Sequence, residues 1–210
     1  MNTGLLECTP DWPGISILEL PHSPTSILTA SLIRAFSFEC RQFFKELEGL
    51  GVTIGDFQAV EEELSVLPGK YSPTCKGGIW FAAIPSIHNG DLVDRVRNSS
   101  PEVVIEMGCL GPHIVVGCVA LRDNGAGKGE LKRMYVESSF RGGGVGRLLL
   151  DAAERGAKER GYRMLVLDTL RRLPSALSLY KRNGFKETGP YCHNPIEDAV
   201  FLQKEFEGVI

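Results

Sequence analysis

The second half of the chain switches between two hydrophobic periods, and the switches mark its elements. From His113 to Arg122 (HIVVGCVALR) a nearly continuous apolar run has the length and β-branched content of a buried strand. Glu130 to Glu137 (ELKRMYVE) is also strand-like, and Asp123-Asn124-Gly125-Ala126-Gly127 between them is a strong turn signal. Alternation places Glu130, Lys132, Met134 and Val136 on one face of that strand, and Leu131, Arg133 and Tyr135 on the other. Val145, Leu148, Leu149, Ala152 and Gly156 then recur at helical spacing, with Gly161 as the C-cap. Arg163 to Thr169 (RMLVLDT) follows as a short buried strand. A second helix begins near Pro174, which suits a first helical position, and stops at Asn183-Gly184. Phe185 opens another strand, and Ala199 to Phe206 (AVFLQKEF) alternates into a last one.

The first half is less regular. Ile15 to Leu20 reads as an edge strand. Thr25 to Leu50 carries helical periodicity through Ile27, Leu28, Leu32, Ile33, Phe36, Phe43, Phe44 and Leu47. Asp56 to Leu67 is a second helix candidate stopped by Pro68-Gly69, and Gly78 to Ile84 is the second strand. Pro85 to Gly111 exceeds a hairpin connection and reads as an insertion. Within it, Asn89-Gly90 and Asn98-Ser99-Ser100-Pro101 are turn signals, and Val103-Val104-Ile105 is strand-like.

Composition narrows the class without deciding it. A chain of 210 residues with 43% hydrophobic content is expected to fold as one domain over 1–210, burying about 70% of its unfolded surface. No apolar run reaches the roughly 18 residues of a membrane helix. Met1 to Pro13 lacks a charged region followed by an apolar one, so no secretory signal is expected. Cys8, Cys40, Cys75, Cys109, Cys118 and Cys192 are scattered without a C-x-x-C pair. That pattern favours reduced thiols and argues against zinc, so no metal is expected. A net charge of −3 gives no basic footprint for nucleic acid. The expectation is a cytoplasmic protein with neither a membrane nor a nucleic-acid partner.

Phe140-Arg141-Gly142-Gly143-Gly144-Val145-Gly146-Arg147 joins a strand to a helix start. A glycine-packed turn there leaves backbone N–H groups unpaired at the positive end of the helix dipole, an anion site suited to a diphosphate. Arg141 and Arg147 add side-chain charge at the same mouth. No third glycine completes a dinucleotide fingerprint, and no Lys-Ser or Lys-Thr completes a P-loop. The pattern present is R-x-x-G-x-G, at Arg141, Gly144 and Gly146. It resembles the acyl-CoA pyrophosphate loop of the GNAT superfamily of N-acetyltransferases. The order strand, strand, helix, strand, helix, strand, strand over 113–206, with Leu179-Tyr180-Lys181-Arg182-Asn183-Gly184-Phe185 before the sixth, resembles the GNAT core at each step. Gly189 to Phe201 (GPYCHNPIEDAVF) resembles a small-molecule N-acetyltransferase subgroup of that family.

The resemblance implies an α/β fold. Its mixed central sheet would have about six to seven strands, splayed between strands four and five and flanked by helices. The two helices between the first strands would form one wall of the acceptor pocket. It also implies transfer of an acetyl group from acetyl-CoA to a primary amine of a small molecule, by direct attack through a tetrahedral intermediate. An alkyl amine titrates near about 10.4, so freeing its lone pair at neutral pH costs on the order of 4 kcal/mol, which a general base relieves. Glu130 stands where several GNAT enzymes carry that base; otherwise it is a strand-end carboxylate paired with Lys132 or Arg133. Tyr180 stands where GNAT tyrosines approach the CoA sulfur, a phenol able to protonate a thiolate while its ring packs. Backbone groups of Met134, Tyr135 and Val136 would pair with the pantetheine, and Gly142, Gly143, Val145 and the R-x-x-G-x-G residues would hold the diphosphate. Leu173 departs from the family, where an asparagine commonly helps hold the cofactor. Asp168, Tyr191, His193 and Asn194 are the acceptor-side candidates, with Glu197 and Asp198 as further carboxylates for a cationic amine. Two alternatives stay open: a protein lysine or N-terminal acetyltransferase, and a non-catalytic acyl-CoA-binding regulatory module. The pairing of Glu130 with Tyr180 favours an enzyme.

Overall fold

The computed structural model describes residues 6–9, 12–21, 26–52, 57–86 and 100–207. The turn signals at Asn89-Gly90 and Asn98-Ser99, and most of the N-terminal stretch weighed as a leader, lie outside the described residues. Nine strands are described: β1 (Leu6–Thr9), β2 (Trp12–Glu19), β3 (Gly78–Pro85), β4 (Val104–Glu106), β5 (Pro112–Asp123), β6 (Lys128–Val136), β7 (Met164–Leu170), β8 (Lys186–Thr188) and β9 (Ala199–Glu205). The described helices are α1 (Ile27–Gly49), α2 (Phe57–Ser65), α3 (Val145–Glu159) and α4 (Pro174–Arg182). The sheet runs β1-β2-β3-β5-β6-β7-β9-β8, with β4 beside β5. Every described pairing is antiparallel except that of β6 with β7.

The mixed, helix-flanked sheet matches expectation and carries two short strands more. β1 pairs outside β2, so the segment expected at the edge is covered. Four residues are too few to show a period, which is why β1 left no pattern. β4 arises at the strand-like end of the expected insertion, where Val103 and Ile105 are buried against α1.

Adjacent residues of β3 point to opposite faces, and each meets a different helix. Phe81 packs edge-on against Phe36 of α1, with ring centroids 6.2 Å apart. Trp80 meets α3 at Gly156, where an added Cβ would lie 2.2 Å from the indole. The missing side chain is what lets α3 sit this close to the sheet. Ser26 caps α1, its hydroxyl accepting the Thr29 N–H at 3.0 Å. Among the described residues no helix is long and apolar enough to cross a membrane.

Two irregularities in β6 position the functional cleft. First, β6 pairs with β7 only from Lys128 to Glu130, opposite Met164 to Val166. Both strands continue beyond that point, and the sheet opens between them. Second, Ala120 pairs with Lys132 and Cys118 with Tyr135, so β6 carries one residue more than β5 there. That bulge holds Arg133 at φ 57°, a left-handed conformation that costs a non-glycine residue about 1 kcal/mol or more. The extra residue inverts the alternation read from the sequence. Tyr135 now faces α1, its hydroxyl donating to Glu46 at 2.9 Å, and Arg133 reaches Glu63 of α2. Met134 and Val136 turn instead toward Gly146 of α3.

Beneath α1 lies an unusual carboxyl. Glu39 is 1% exposed, and among the described residues its Oε2 has no hydrogen-bond partner. Burial, and then the neighbouring Glu137 and Glu46, push it up from 4.5 to about 8. Its folded-state affinity for a proton exceeds its unfolded one, so stability falls as pH rises between those values. Glu39→Gln should therefore match the parent in Tm near pH 5 and exceed it by a margin that grows toward pH 8.5, worth on the order of a few kcal/mol. A pH-independent difference in thermal denaturation would contradict a protonated Glu39.

Candidate active site

The turn into α3 is built from backbone. Gly142 and Gly144 have φ of 85° and 88°, where a side chain is strained, and Gly144 is the N-cap of the helix. No side chain caps it. The amides of Arg147 and Leu148 return to the Gly144 carbonyl at 3.0 and 3.1 Å, so those before them face outward. Val145 is buried and anchors the turn, while Gly142 and Gly144 are exposed. These features fit a diphosphate: outward amides, a helix N-terminus and a floor without side chains. A Cβ at Gly146 would meet Leu179, Met134 and Val136 at 3.4 to 3.8 Å, ordinary contacts that leave room for a methyl group.

The two arginines of this segment are both engaged. Arg141 donates through Nε to the Val136 carbonyl at 2.7 Å and through Nη2 to both Glu46 oxygens at 2.8 Å. Its guanidinium also lies over the Tyr135 ring. Arg147 pairs with Asp151 one turn along α3 at 3.5 Å.

Where β6 leaves β7, a cleft of about 190 Å³ opens. β6 from Leu131 to Met134 and β7 from Asp168 to Leu170 form its sides. Leu173 at the N-cap of α4, Ala176 and Tyr180 within it, Phe43, Phe44 and Leu47 of α1, and Asn194 and Ile196 complete it. Leu173 is thus an apolar wall residue of the cleft. The Tyr180 hydroxyl lies 3.4 Å from Met134 Sδ, toward the unpaired edge of β6. Its ring packs against Phe185 at 5.7 Å, so packing and a role in the cleft coexist. Burial, reinforced by the charge of Asp168, pushes the phenol up, which keeps it protonated and able to donate.

Glu130 lies behind this wall, 0% exposed. Its Oε2 accepts from Arg122 at 2.7 Å, and its Oε1 lies 3.3 Å from both Lys132 Nζ and the Tyr191 hydroxyl. Of its two expected cation partners Lys132 is present, and Arg122, directly across the hairpin, replaces Arg133. Lys132 bridges onward to Asp168 Oδ1 at 2.9 Å, and Asn194 donates to Asp168 Oδ2 at 2.8 Å. Burial acts to raise Asp168, but the Lys132 charge and these hydrogen bonds outweigh it and hold the carboxyl below its ordinary range. Burial and then Glu130 push the Tyr191 phenol up. The structure therefore brings Tyr180, Met134, Asp168 and Asn194 to one cleft and sets Glu130 and Tyr191 behind it. His193 is exposed and does not line the cleft, and Asp198 is held by Arg172 at 2.8 Å. Among the described residues no cluster of His, Cys, Asp or Glu forms a metal site.

Comparison with known proteins places this geometry. The Acetyltransferase (GNAT) domain model matches residues 103–187. An uncharacterized N-acetyltransferase of Schizosaccharomyces pombe is 38% identical over 117 residues, 55% of this chain and 72% of that protein. The chain belongs to the GNAT acetyltransferases. An IAA acetyltransferase of Azospirillum brasilense is 38% identical over 92 residues, 43% of this chain and 60% of that protein. An acetyltransferase structure from Streptococcus agalactiae shares the fold, with a TM-score of 0.61 at 18% identity over 92% of this chain and 99% of that one. As a GNAT protein the chain is an acetyl-CoA-dependent acyltransferase, and the glycine turn and the open edge of β6 are the features that fit its donor.

Sequence reasoning missed Arg122, Glu46 and Glu63, gave Lys132 and Arg133 only as ion partners of Glu130, and treated Phe43, Phe44 and Leu47 as periodic core positions. Only Arg122 had a visible signal: folding the hairpin about its Asp-Asn-Gly turn sets Arg122 opposite Glu130. For the turn, Gly146→Val should raise the Kd for acetyl-CoA at least about tenfold, while Gly146→Ala stays near the parent value. Glu46→Gln, which releases Arg141 and removes a negative charge, should tighten acetyl-CoA a few-fold. Calorimetry showing an unchanged Kd for the valine variant, or weaker binding for Glu46→Gln, would contradict this site.

Proposed function

We propose that the chain transfers the acetyl group of acetyl-CoA to the primary amine of a small molecule by direct attack, in the cleft between β6 and β7. The observation that carries this reading is the unpaired edge of β6 running from the Tyr180 hydroxyl toward the glycine turn of α3. Bound there, acetyl-CoA supplies an acyl carbon activated as a thioester. The amides of Gly142, Gly143, Gly144, Val145 and Gly146 hold the diphosphate, with Arg141 and Arg147 at its margin. Backbone groups of Met134, Tyr135 and Val136 pair with the pantetheine as a neighbouring strand would, and an amide of this stretch polarises the acyl carbonyl. As the amine's C–N bond forms and the C–S bond breaks, Tyr180 gives its proton to the departing sulfur. The proton lost by the amine leaves through water and restores the phenol.

Asp168 and Asn194 flank the amine on the acceptor side. Glu130, buried behind the cleft, positions Lys132 and through it Asp168, and His193 lies at the outer margin of the acceptor loop. The small size of the cleft supports a small acceptor, and the relative named as an IAA acetyltransferase is in keeping with one. Free-thiol release across a library of amines tests the reading: one or more acceptors should give amine-dependent thiol. Binding of acetyl-CoA with no amine-dependent release would favour the non-catalytic module. Tyr180→Phe should lower kcat by about tenfold or more with the acetyl-CoA Kd unchanged. An unchanged kcat would remove Tyr180 from the mechanism.

A further inference from the structure

The acceptor side of the cleft carries a cation whose donors are largely unused. The bulge directs Arg133 toward α1 and α2, where Nε donates to Glu63 Oε1 at 2.9 Å and the guanidinium lies 5.0 Å from the Phe44 ring centroid. A guanidinium has five N–H donors. Among the described residues neither Nη1 nor Nη2 has a hydrogen-bond partner, and neither is among the polar atoms sealed inside the protein. Arg133 is among the residues that line the cleft, beside Phe44, against which its guanidinium lies.

Charge accounting points the same way. Glu130 and Asp168 are matched by Arg122 and Lys132. Glu63 alone serves both Arg133 and Lys70, and also accepts the Tyr71 hydroxyl at 2.8 Å. Three carboxylates thus face four cations, and the surplus positive charge lies on the Arg133 side. Asp168, by contrast, already holds a donor on each oxygen. The planar fork of an arginine matches a carboxylate in two parallel hydrogen bonds. Phe43, Phe44 and Leu47 give an apolar surface beside it.

We infer that Arg133 is a carboxylate-binding subsite, and that the acceptor is an amine that also bears a carboxylate and an apolar group. A free amino acid with an aliphatic or aromatic side chain has that chemistry. The inference rests on the acetyl transfer proposed for this cleft and narrows its substrate.

Thiol release by the full chain at saturating acetyl-CoA tests it with three acceptors: phenylalanine, phenylalaninamide and phenethylamine. The free acid should exceed the other two in kcat/KM by at least about tenfold, the loss expected when a charge-assisted pair is removed. Arg133→Gln should erase that preference, mainly through KM, with the acetyl-CoA Kd unchanged, and Arg133→Lys should keep part of it. Independently of any variant, 3-phenylpropionate should inhibit the parent competitively against the acceptor, while its amide should not. Equal use of acid, amide and amine, or a preference that survives Arg133→Gln, would overturn the subsite and leave acetyl transfer intact. Thiol release with none of a broad amine library would overturn both.

Discussion

The parting of β6 from β7 is the constraint on which the rest of the molecule turns. The two strands share three rungs of a parallel ladder and then diverge, leaving one edge of β6 without a strand beside it. Unpaired main-chain groups inside a fold are costly, and an open edge is a template for another extended chain. The fold does not fill this gap with protein. It sets Tyr180 of α4 and the preceding Leu173 against it, closes its far side with α1, and follows β6 with a glycine turn whose amides face the same way. A donor molecule carrying two amides and a diphosphate on one flexible arm matches that succession of groups.

Magnitudes explain how the charges around the turn are arranged. The Arg141–Glu46 pair is roughly half exposed on both sides, so it contributes no more than about 1 kcal/mol. The helix terminus and its amides, by contrast, are fixed by the backbone and need no rearrangement. Deeper in the cleft the opposite holds. Glu130 is fully buried among Arg122, Lys132 and Tyr191, and removing one member of such a network strands a charge at a cost of about 3 kcal/mol or more. The mouth of the cleft is thus held by an exposed pair and its wall by a buried charge network.

Much of this was legible in the chain itself, for local reasons. The glycine turn, the Pro174 helix start and the Tyr180 segment are short motifs whose geometry follows from neighbouring residues. The hairpin about Asp123-Asn124-Gly125 was equally plain. What stayed hidden depends on contacts distant in sequence. The residues Glu-Leu-Lys-Arg-Met-Tyr-Val do not by themselves show the bulge, which only the family resemblance implies, because alternation looks intact until β5 fixes the register. Arg133 therefore read only as a possible partner of Glu130, although it is the residue that reaches Glu63 and Phe44. Glu130 read as a base or a strand-end carboxylate, and its full burial was hidden because it involves Tyr191, sixty-one positions away. Glu46 and Arg141 meet across ninety-five positions, beyond any local pattern.

The central claim is that main-chain amides of the turn before α3 grip the diphosphate while β6 pairs with the arm that follows it. Amide NMR of the labelled chain, titrated in parallel with coenzyme A and with pantetheine, tests it most directly. Coenzyme A should shift the amides of residues 142–147 together with those of 134–136, and pantetheine should move only the β6 set. Loop amides that stay still under coenzyme A, with the large shifts elsewhere on the molecule, would contradict the account.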